Sequence, residues 1–543
     1  MNKIKTNKII VSVKKEKDFL NTKLLKKLYT LCLFLIISNT IVANDLAIDN
    51  ISLTGRNVEF NYTLVQFDIS WKNSWRINDG PSNWDAAWVF VKYRKISETT
   101  WHHATLNWMN GSGSGDGHTE PTNADIVSSN DNGSGGAYGV FIHRDANMDQ
   151  GSVNYKGVKL RWNYGIDGLT NSDSVEVSVS GIEMVYVPTS KFYIGSGGNE
   201  TDAFYKYPST TNPFQITSED AITVGTASND LYYPSTSYGG DQTGPIPAAF
   251  PKGYKGFYCM KYEITQEQYV GFLNKLTRDQ QTERIYTSII LGTTSVSNTY
   301  VMSNKSSPEF RNGIRCNETI HVSDPISFYC DLDGDGIKNE TNDGQNIACN
   351  FLNWQDLAAY LDWVGLRPMT ELEYEKASRG NGAPLANEFA WGIASIVVAN
   401  GISNSGLNDE TASNAGANCV YASGVAGPMR TGCLGQGVNT RSGVGATFYG
   451  IMEFSGNIQE RTITVGNATG RAFTGIHGDG VLNASGDANV NQWPDTDAIG
   501  TGFRGGGWNS NVSYLRVSDR DDAAWAIYTR SHKFGGRGCR VAP

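Results

Sequence analysis

Glycine sets the terms on which this chain can fold. Sixty of its 543 residues are glycine. Many cluster with Ser and Asn in runs such as Asn110-Gly111-Ser112-Gly113-Ser114-Gly115 and Asn130-Asp131-Asn132-Gly133, and through the long segments 197–248 and 403–447. Glycine loses more backbone freedom on folding than any other residue and weakens helix and strand interiors. Long regular elements are therefore excluded over most of the sequence. Thirteen Trp and 26 Tyr, against only 16 Pro, supply the apolar surface, so the chain reads as short elements and tight turns around aromatic cores. At this length one core does not suffice, and at least two domains are expected.

The amino terminus has the order of a secretory signal peptide. Nine lysines between Lys3 and Lys27 precede an apolar run, 28–37, and a stretch ending Ile41-Val42-Ala43, with cleavage expected after Ala43. The run is short for a transmembrane helix, and an uncleaved anchor is the alternative. Cys32 follows Leu31, where a lipoprotein signal has a small residue, so no lipid anchor is expected. No other stretch has a membrane-spanning composition. Removing residues 1–43 takes nine lysines and two acids from totals of 45 basic and 54 acidic residues, leaving 36 against 52, a formal net charge of −16. An acidic surface repels nucleic acid and anionic lipid and suits divalent cations, so nucleic-acid partners are excluded. A secreted or periplasmic, cell-envelope location is expected.

Seven cysteines remain after such cleavage: Cys259, Cys316, Cys330, Cys349, Cys419, Cys433 and Cys539. In an oxidising compartment most pair, and an odd number leaves one thiol free or intermolecular. Cys330 with Cys349, and Cys419 with Cys433, would each close a short loop. Isolated buried thiols are the other reading.

Residues 44–180 alternate strand-like runs (64–71, 87–93, 138–143, 158–163 and 175–179) with polar turns, the pattern of a small all-β sandwich. His102 and His103 are adjacent, so on a strand they face opposite ways and cannot share a metal. The character changes at Gly181, and a domain boundary is placed near 180, with the second domain spanning 181–543. Thr265 is a candidate N-cap for a helix running to Leu273; a second helix is expected over 354–363; a third starts at Thr370, where Glu373 completes a capping box, and runs through Ala377. The fold class is α+β with much irregular structure.

Taken together, these pieces resemble the formylglycine-generating enzyme, or sulfatase-modifying factor, family. Met184-Val185-Tyr186-Val187-Pro188 with Phe192-Tyr193-Ile194-Gly195 is similar to the family's opening strand, and Tyr262-Glu263-Ile264-Thr265 with Tyr269 and Phe272 to its first helix. Asn353-Trp354-Gln355-Asp356, Tyr360-Leu361-Asp362-Trp363, Leu366-Arg367-Pro368-Met369-Thr370-Glu371-Leu372-Glu373-Tyr374-Glu375 and Ala377-Ser378-Arg379-Gly380 are similar to its central block, and Ala390-Trp391-Gly392 follows in order. Later, Tyr449-Gly450-Ile451-Met452-Glu453-Phe454-Ser455-Gly456-Asn457 with Glu460, and Phe503-Arg504-Gly505-Gly506-Gly507-Trp508, match two further motifs, and Gly538-Cys539-Arg540 stands where the family has Gly-Phe-Arg. The resemblance implies a variant of the C-type lectin scaffold, often tied down by calcium.

It also implies where catalysis would sit. Family enzymes that use copper oxidise a sulfatase cysteine to formylglycine with two cysteines placed after the Gly-Gly-Ser-Trp segment. Here that stretch, 509–520, has no cysteine; Leu515 and Val517 occupy about the two sulfur positions, and apolar side chains do not bind copper(I), which takes soft thiolates. Copper is not expected. Asn457 and Glu460 match the segment that holds a structural calcium in the family, although Arg461 replaces the aromatic that follows, and Asn400 resembles a second calcium-site asparagine. The alternative for both asparagines is that they satisfy backbone groups in turns.

An insertion between the first and second expected helices carries a separate signal. Asp331-Leu332-Asp333-Gly334-Asp335-Gly336 matches the first half of an EF-hand-like loop, in which alternate carboxylates converge on a cation. The twelfth position is Asn342 rather than a bidentate acid, with Glu340 and Asp343 close by. A solvated acidic turn is the bland alternative, but carboxylates this close repel without a cation. Calcium is the expected cofactor, with Asp331, Asp333, Asp335, Asp343, Asn457, Glu460 and Asn400 as its candidate ligands.

Two functional classes follow. One is an exported, calcium-stabilised binding or structural module for a protein or glycan, presenting the segments 197–248 and 403–447; similar domains occur in gliding-motility and secretion lipoproteins. The other is a formylglycine-generating-type oxidase or other metal-dependent enzyme acting on an exported protein with rearranged ligands, for which only His532 and Cys539 lie near in sequence. Glycan binding through Trp508, Trp525 and Tyr528 is a weaker possibility, with core packing as their other role.

Overall fold

In the amino-terminal strands, side-chain burial alternates where one face meets solvent and is continuous where both faces are covered. The computed structural model describes residues 46–234, 237–422, 424–434 and 440–543; the signal segment expected over 1–43 lies outside them. Strands β1 (Ala47–Asn57), β2 (Tyr62–Arg76), β3 (Asp85–Lys95), β4 (His102–His103), β5 (Leu106–Asn107), β6 (Ala124–Val127), β7 (Gly136–Ala137), β8 (Val140–Arg144), β9 (Met148–Trp162) and β10 (Val175–Val187) come first. One antiparallel sheet has the order β1-β2-β9-β5-β7. Along β2, Val65, Phe67, Ile69 and Trp71 point inward while the intervening residues are partly exposed, as expected of a half-buried strand. His102 is exposed and His103 buried, on opposite sides of β4.

β3 is buried from Asp85 to Tyr93 because it has a core on each face. Ala87, Val89 and Val91 pack with β2 and β9 in the sandwich core. Trp88 and Phe90 point the other way, into a core shared with Phe272, Tyr360 and Trp363 of the carboxy-terminal part. The Trp88 indole N–H donates to the Val364 carbonyl at 2.8 Å, and the Lys92 ammonium lies 4.4 Å from the Trp363 ring centre. β10 pairs with β3 from Val175 to Val185 and with the next strand from Met184 to Val187. Position 180 therefore lies inside a strand that serves both parts, and Val42–Pro543 is one compact unit.

The carboxy-terminal part adds strands β11 (Phe257–Met260), β12 (Arg367–Pro368), β13 (Gln459–Ile463), β14 (Thr501–Arg504), β15 (Phe534–Gly535) and β16 (Gly538–Val541). Its main helices are α1 (Gln266–Leu273), α2 (Arg278–Glu283), α3 (Trp354–Trp363) and α4 (Glu371–Arg379). The shared sheet runs β12-β16-β11-β10-β3-β8-β6, and a smaller one runs β14-β13-β15. Reciprocal capping boxes start all four helices: Thr265 with Gln268, Thr277 with Gln280, Asn353 with Asp356, and Thr370 with Glu373. The sequence pattern anticipated α1, α3 and α4. It missed α2, whose six polar residues carry no apolar period.

α4 holds the irregular segments in place through buried charge. Glu371 Oε1 accepts from Thr464 Oγ1 (3.0 Å), the Val465 N–H (2.8 Å) and Arg520 Nη2 (3.0 Å), while its Oε2 accepts from Arg520 Nε (2.7 Å) and Arg504 Nη1 (3.0 Å). One turn on, Glu375 accepts from Arg504 Nη2 and from the Gly195 N–H, each at 2.8 Å, and pairs with Arg379. Burial opposes the charge on Glu371, yet Arg520 and Arg504 hold its carboxyl below the usual range.

The cysteine expectation needs correction. All seven described cysteines are buried free thiols, so neither Cys330 with Cys349 nor Cys419 with Cys433 is bonded. Short spacing was the only argument for those pairs, and spacing does not bring two β-carbons into bonding range.

E371Q keeps the size of the side chain but strips Arg520 of its carboxylate. It is expected to lower unfolding stability by about 3–5 kcal/mol, read as a fall in the urea midpoint. The E371Q/R520M pair is expected to cost less than the two single losses together.

Candidate functional site

The acidic insertion folds as a closed loop. Its ends are joined through Asn339, whose N–H donates to the Cys330 carbonyl (3.2 Å) and whose Oδ1 accepts from the Cys330 N–H (3.1 Å). Gly334 and Gly336 take φ of 79° and 85°, which a side chain would resist. Oxygens of Asp331, Asp333 and Asp335 come within 4.8 Å of one another, the sole such group of three His, Cys, Asp or Glu ligands among the described residues. Asp331 is buried and the other two are exposed. Two carboxylates at that separation repel by about 1 kcal/mol in water and about 3 kcal/mol at an effective dielectric of 20.

Asp343, at the far end of the loop, lies outside this group but feels its charge. It is fully buried; Oδ2 accepts from the Glu340 N–H at 2.5 Å, while Oδ1 has no hydrogen-bond partner. Its carboxyl is pushed up to about 6, first by burial and then, against the pull of the Glu340 N–H, by the charges of Asp331, Asp333 and Asp335. The Glu340 carboxyl rises as well, through desolvation and the proximity of Asp335 and Asp333. The only cationic side chain ion-paired with the loop acids among the described residues is Arg315, on Asp331. Asn342, at the twelfth position, donates to Asp333 Oδ2 at 2.6 Å. The loop therefore offers three converging aspartates, of the kind that oxygen-seeking cations such as calcium use.

Asn457, Glu460 and Asn400 have other partners. Glu460 is buried and makes a two-pronged ion pair with Arg537, at 2.6 and 2.7 Å. Asn457 Oδ1 accepts from the Met429 N–H at 2.8 Å, and its Nδ2 donates to Glu263. Asn400 is exposed, and its N–H donates to Asn414 Oδ1 at 2.9 Å. The structure thus gathers Asp331, Asp333 and Asp335, leaves Asp343 outside that group of three, and engages Asn457 and Glu460 in the core. Arg461 fills the place of the missing aromatic by lying 4.3 Å from the Phe503 ring centre and donating to Thr501 Oγ1 at 3.2 Å.

Comparison with known proteins places this geometry. The model of the sulfatase-modifying factor enzyme 1-like domain matches residues 174–540. The chain belongs to that family. No curated protein matches the sequence. Among solved structures, variable protein 1 of Treponema denticola aligns over 67% of this chain and 96% of its own, at 10% identity and a TM-score of 0.29, too slight a likeness to bear on fold or function.

Within this sulfatase-modifying factor domain, Leu515 and Val517, which the resemblance sets near the family's two sulfur positions, are packed shut. Leu515 ends a 3-10 turn, Val512–Leu515, and is fully buried against Phe389, Trp391 and Cys419. Val517 is fully buried with Tyr374 and Phe454. Ser455 fixes the segment by donating to the Leu515 carbonyl at 2.6 Å and accepting from the Ala390 N–H at 3.0 Å. Gly505, at φ 82°, passes so close to the Phe454 carbonyl that a β-carbon would sit 2.5 Å from its oxygen. Trp508 is packed in the core, whereas Tyr528 is 63% exposed. Cys539 is buried on β16, and His532 stacks on Phe310 with ring centres 4.1 Å apart.

Sequence reasoning missed the buried acids next to Asn457. Glu263 accepts from Asn457 and from the Ile458 N–H (3.1 Å). Glu453, at φ 57°, accepts from the Gly432 N–H (2.8 Å) through Oε1, and its buried Oε2 lacks a hydrogen-bond partner. Burial, reinforced by Glu460 and opposed by Arg537, the Gly432 N–H and Arg430, pushes the Glu453 carboxyl up to about 7. The fold thus retains a proton that the unfolded chain loses near 4.5, and this contribution to stability disappears as pH rises through 7. E453Q mimics the protonated acid, so its stability relative to the parent is expected to rise by a few kcal/mol, on the order of magnitude, between pH 4.5 and 8. Paired urea titrations across that range measure it.

Proposed function

We propose that this chain is an exported, calcium-stabilised binding or structural module of the secretory or periplasmic cell envelope, built on the sulfatase-modifying factor scaffold without its cysteine chemistry. The observation that carries the reading is the pair of buried apolar side chains, Leu515 and Val517, at the two family sulfur positions. Neither presents a copper ligand, and the one thiol packed beside Leu515, that of Cys419, is buried. The aspartate loop supports the calcium part, because the carboxylates of Asp331, Asp333 and Asp335 crowd together beside a single ion-paired arginine, Arg315. The partner is an exported protein or a glycan, for which the glycine-rich segments 197–248 and 403–447 are the variable surface and Tyr528 an exposed aromatic.

Two measurements test the reading. Calorimetric titration with calcium is expected to give one site with an affinity of roughly 10⁻⁵–10⁻³ M and a raised thermal midpoint that EGTA reverses. D333N and D335N are each expected to weaken it about tenfold, the order of a charge-assisted ligand. Absence of heat and of any midpoint change at millimolar calcium refutes the calcium assignment. Incubation with copper(I), oxygen and a Cys-x-Pro-x-Arg peptide is expected to yield no formylglycine by mass spectrometry. Conversion would establish the oxidase reading in its place.

A further inference from the structure

Cys259 on β11 and Cys539 on β16 stand directly opposite each other, in an antiparallel register that also pairs Tyr258 with Arg540 and Phe257 with Val541. The Ala542 N–H donates to the Gly256 carbonyl at 3.1 Å, which makes Gly256/Ala542 a hydrogen-bonded position of the ladder. Such positions alternate with non-hydrogen-bonded ones, so Cys259/Cys539 is a non-hydrogen-bonded pair. There the α-carbons approach to about 4.5 Å and the side chains leave on one face, within the span of about 4.4–6.8 Å that a disulfide bridges. Both residues are fully buried, and burial together with the neighbouring Cys259 thiol pushes the Cys539 thiol up.

We infer that Cys259 and Cys539 form a redox site, oxidised during folding to a cross-strand disulfide that clasps β11, near the start of the family domain, to its last strand, β16. The structure describes the reduced pair. In the oxidation two thiols give up two protons and two electrons as the S–S bond forms. A disulfide oxidant, either glutathione disulfide or the disulfide of a thiol-exchange protein, accepts them as its own S–S bond opens to two thiols. Burial determines the timing. It keeps dissolved oxidants from both sulfurs and holds the Cys539 thiol far above its ordinary range, so little thiolate is available after packing. Exchange therefore belongs to the interval before β16 docks. The closed loop spans about 280 residues, the long-loop case in which cross-linking most restricts the unfolded chain.

The test uses the purified chain, denatured and reduced, then refolded in a mixture of glutathione and glutathione disulfide. It is quenched with iodoacetamide in denaturant and digested without reduction. The expected product is a cross-linked peptide pair carrying Cys259 and Cys539, lighter by two hydrogens than the separate peptides. The oxidised protein is expected to melt on the order of 5 °C above the reduced one, a difference that C539S lacks. If C539S does not fold, the mass readout on the unaltered chain still decides. Recovery of both cysteines as alkylated peptides, or of either joined to a different cysteine, overturns the inference.

Discussion

The carboxylate of Glu371 is the point on which the carboxy-terminal domain turns. It receives five hydrogen bonds, from Thr464, Val465, Arg504 and twice from Arg520, and it sits in the first turn of α4, where the helix dipole favours negative charge. Burying an ion pair is costly, and only full hydrogen bonding makes it tolerable. Here that condition is met by the last residue of β14, the two residues that follow β13 and the irregular segment that carries Arg520. Arg520 also lies 4.0 Å from the Phe204 ring centre and 4.3 Å from that of Tyr233, which brings the glycine-rich stretch around 197–248 onto the same hub. A chain short of helix and strand thus gains order from a few guanidinium groups, each of which fixes several loops at once.

The second organising constraint is the two-faced strand β3. Alternate residues of one strand feed two different cores, one between the sheets of the sandwich and one against α1 and α3. The shared sheet continues through β10 into β11 and β16, so the amino-terminal strands form part of the layer on which the family domain packs. Loss of apolar burial on either face of β3 is therefore felt in both parts, and the two are not free to move as beads on a linker. Arg540, next to Cys539, reinforces the joint by pairing with Asp131 from the sandwich side.

What the sequence revealed follows from how local each signal is. The N-cap at Thr265, the capping box at Thr370 and the alternation along β2 depend on neighbours a few residues away, and they were readable. The Asp331 loop was readable for the same reason. The double burial of β3 was not, because a continuous apolar run looks the same whichever layers cover it. Glu263, Glu453 and the opposition of Cys259 to Cys539 depend on register across tens to hundreds of residues, which no local pattern encodes. Arg461 looked like a disruption of the family motif and instead stacks on Phe503, since a planar guanidinium substitutes for an aromatic ring where a neighbouring ring accepts it.

The contrast between core and loop acids bears most directly on the metal question. In the core, acids find arginines: Glu371 with Arg504 and Arg520, Glu373 with Arg367, Glu460 with Arg537, Asp356 with Arg530, and Glu410 with Arg311. In the loop, Asp331 is the one aspartate ion-paired among the described residues, with Arg315, while Lys338 lies over the Tyr329 ring at 4.8 Å from its centre. A protein that pairs several of its buried carboxylates with arginine elsewhere has left this group short of positive charge, and has done so where backbone glycines and a closed turn bring the oxygens of Asp331, Asp333 and Asp335 together. A cation entering the loop would relieve their mutual repulsion. A divalent ion with a taste for carboxylate oxygens fills that deficit with one particle, whereas arginine side chains would need room the turn does not have.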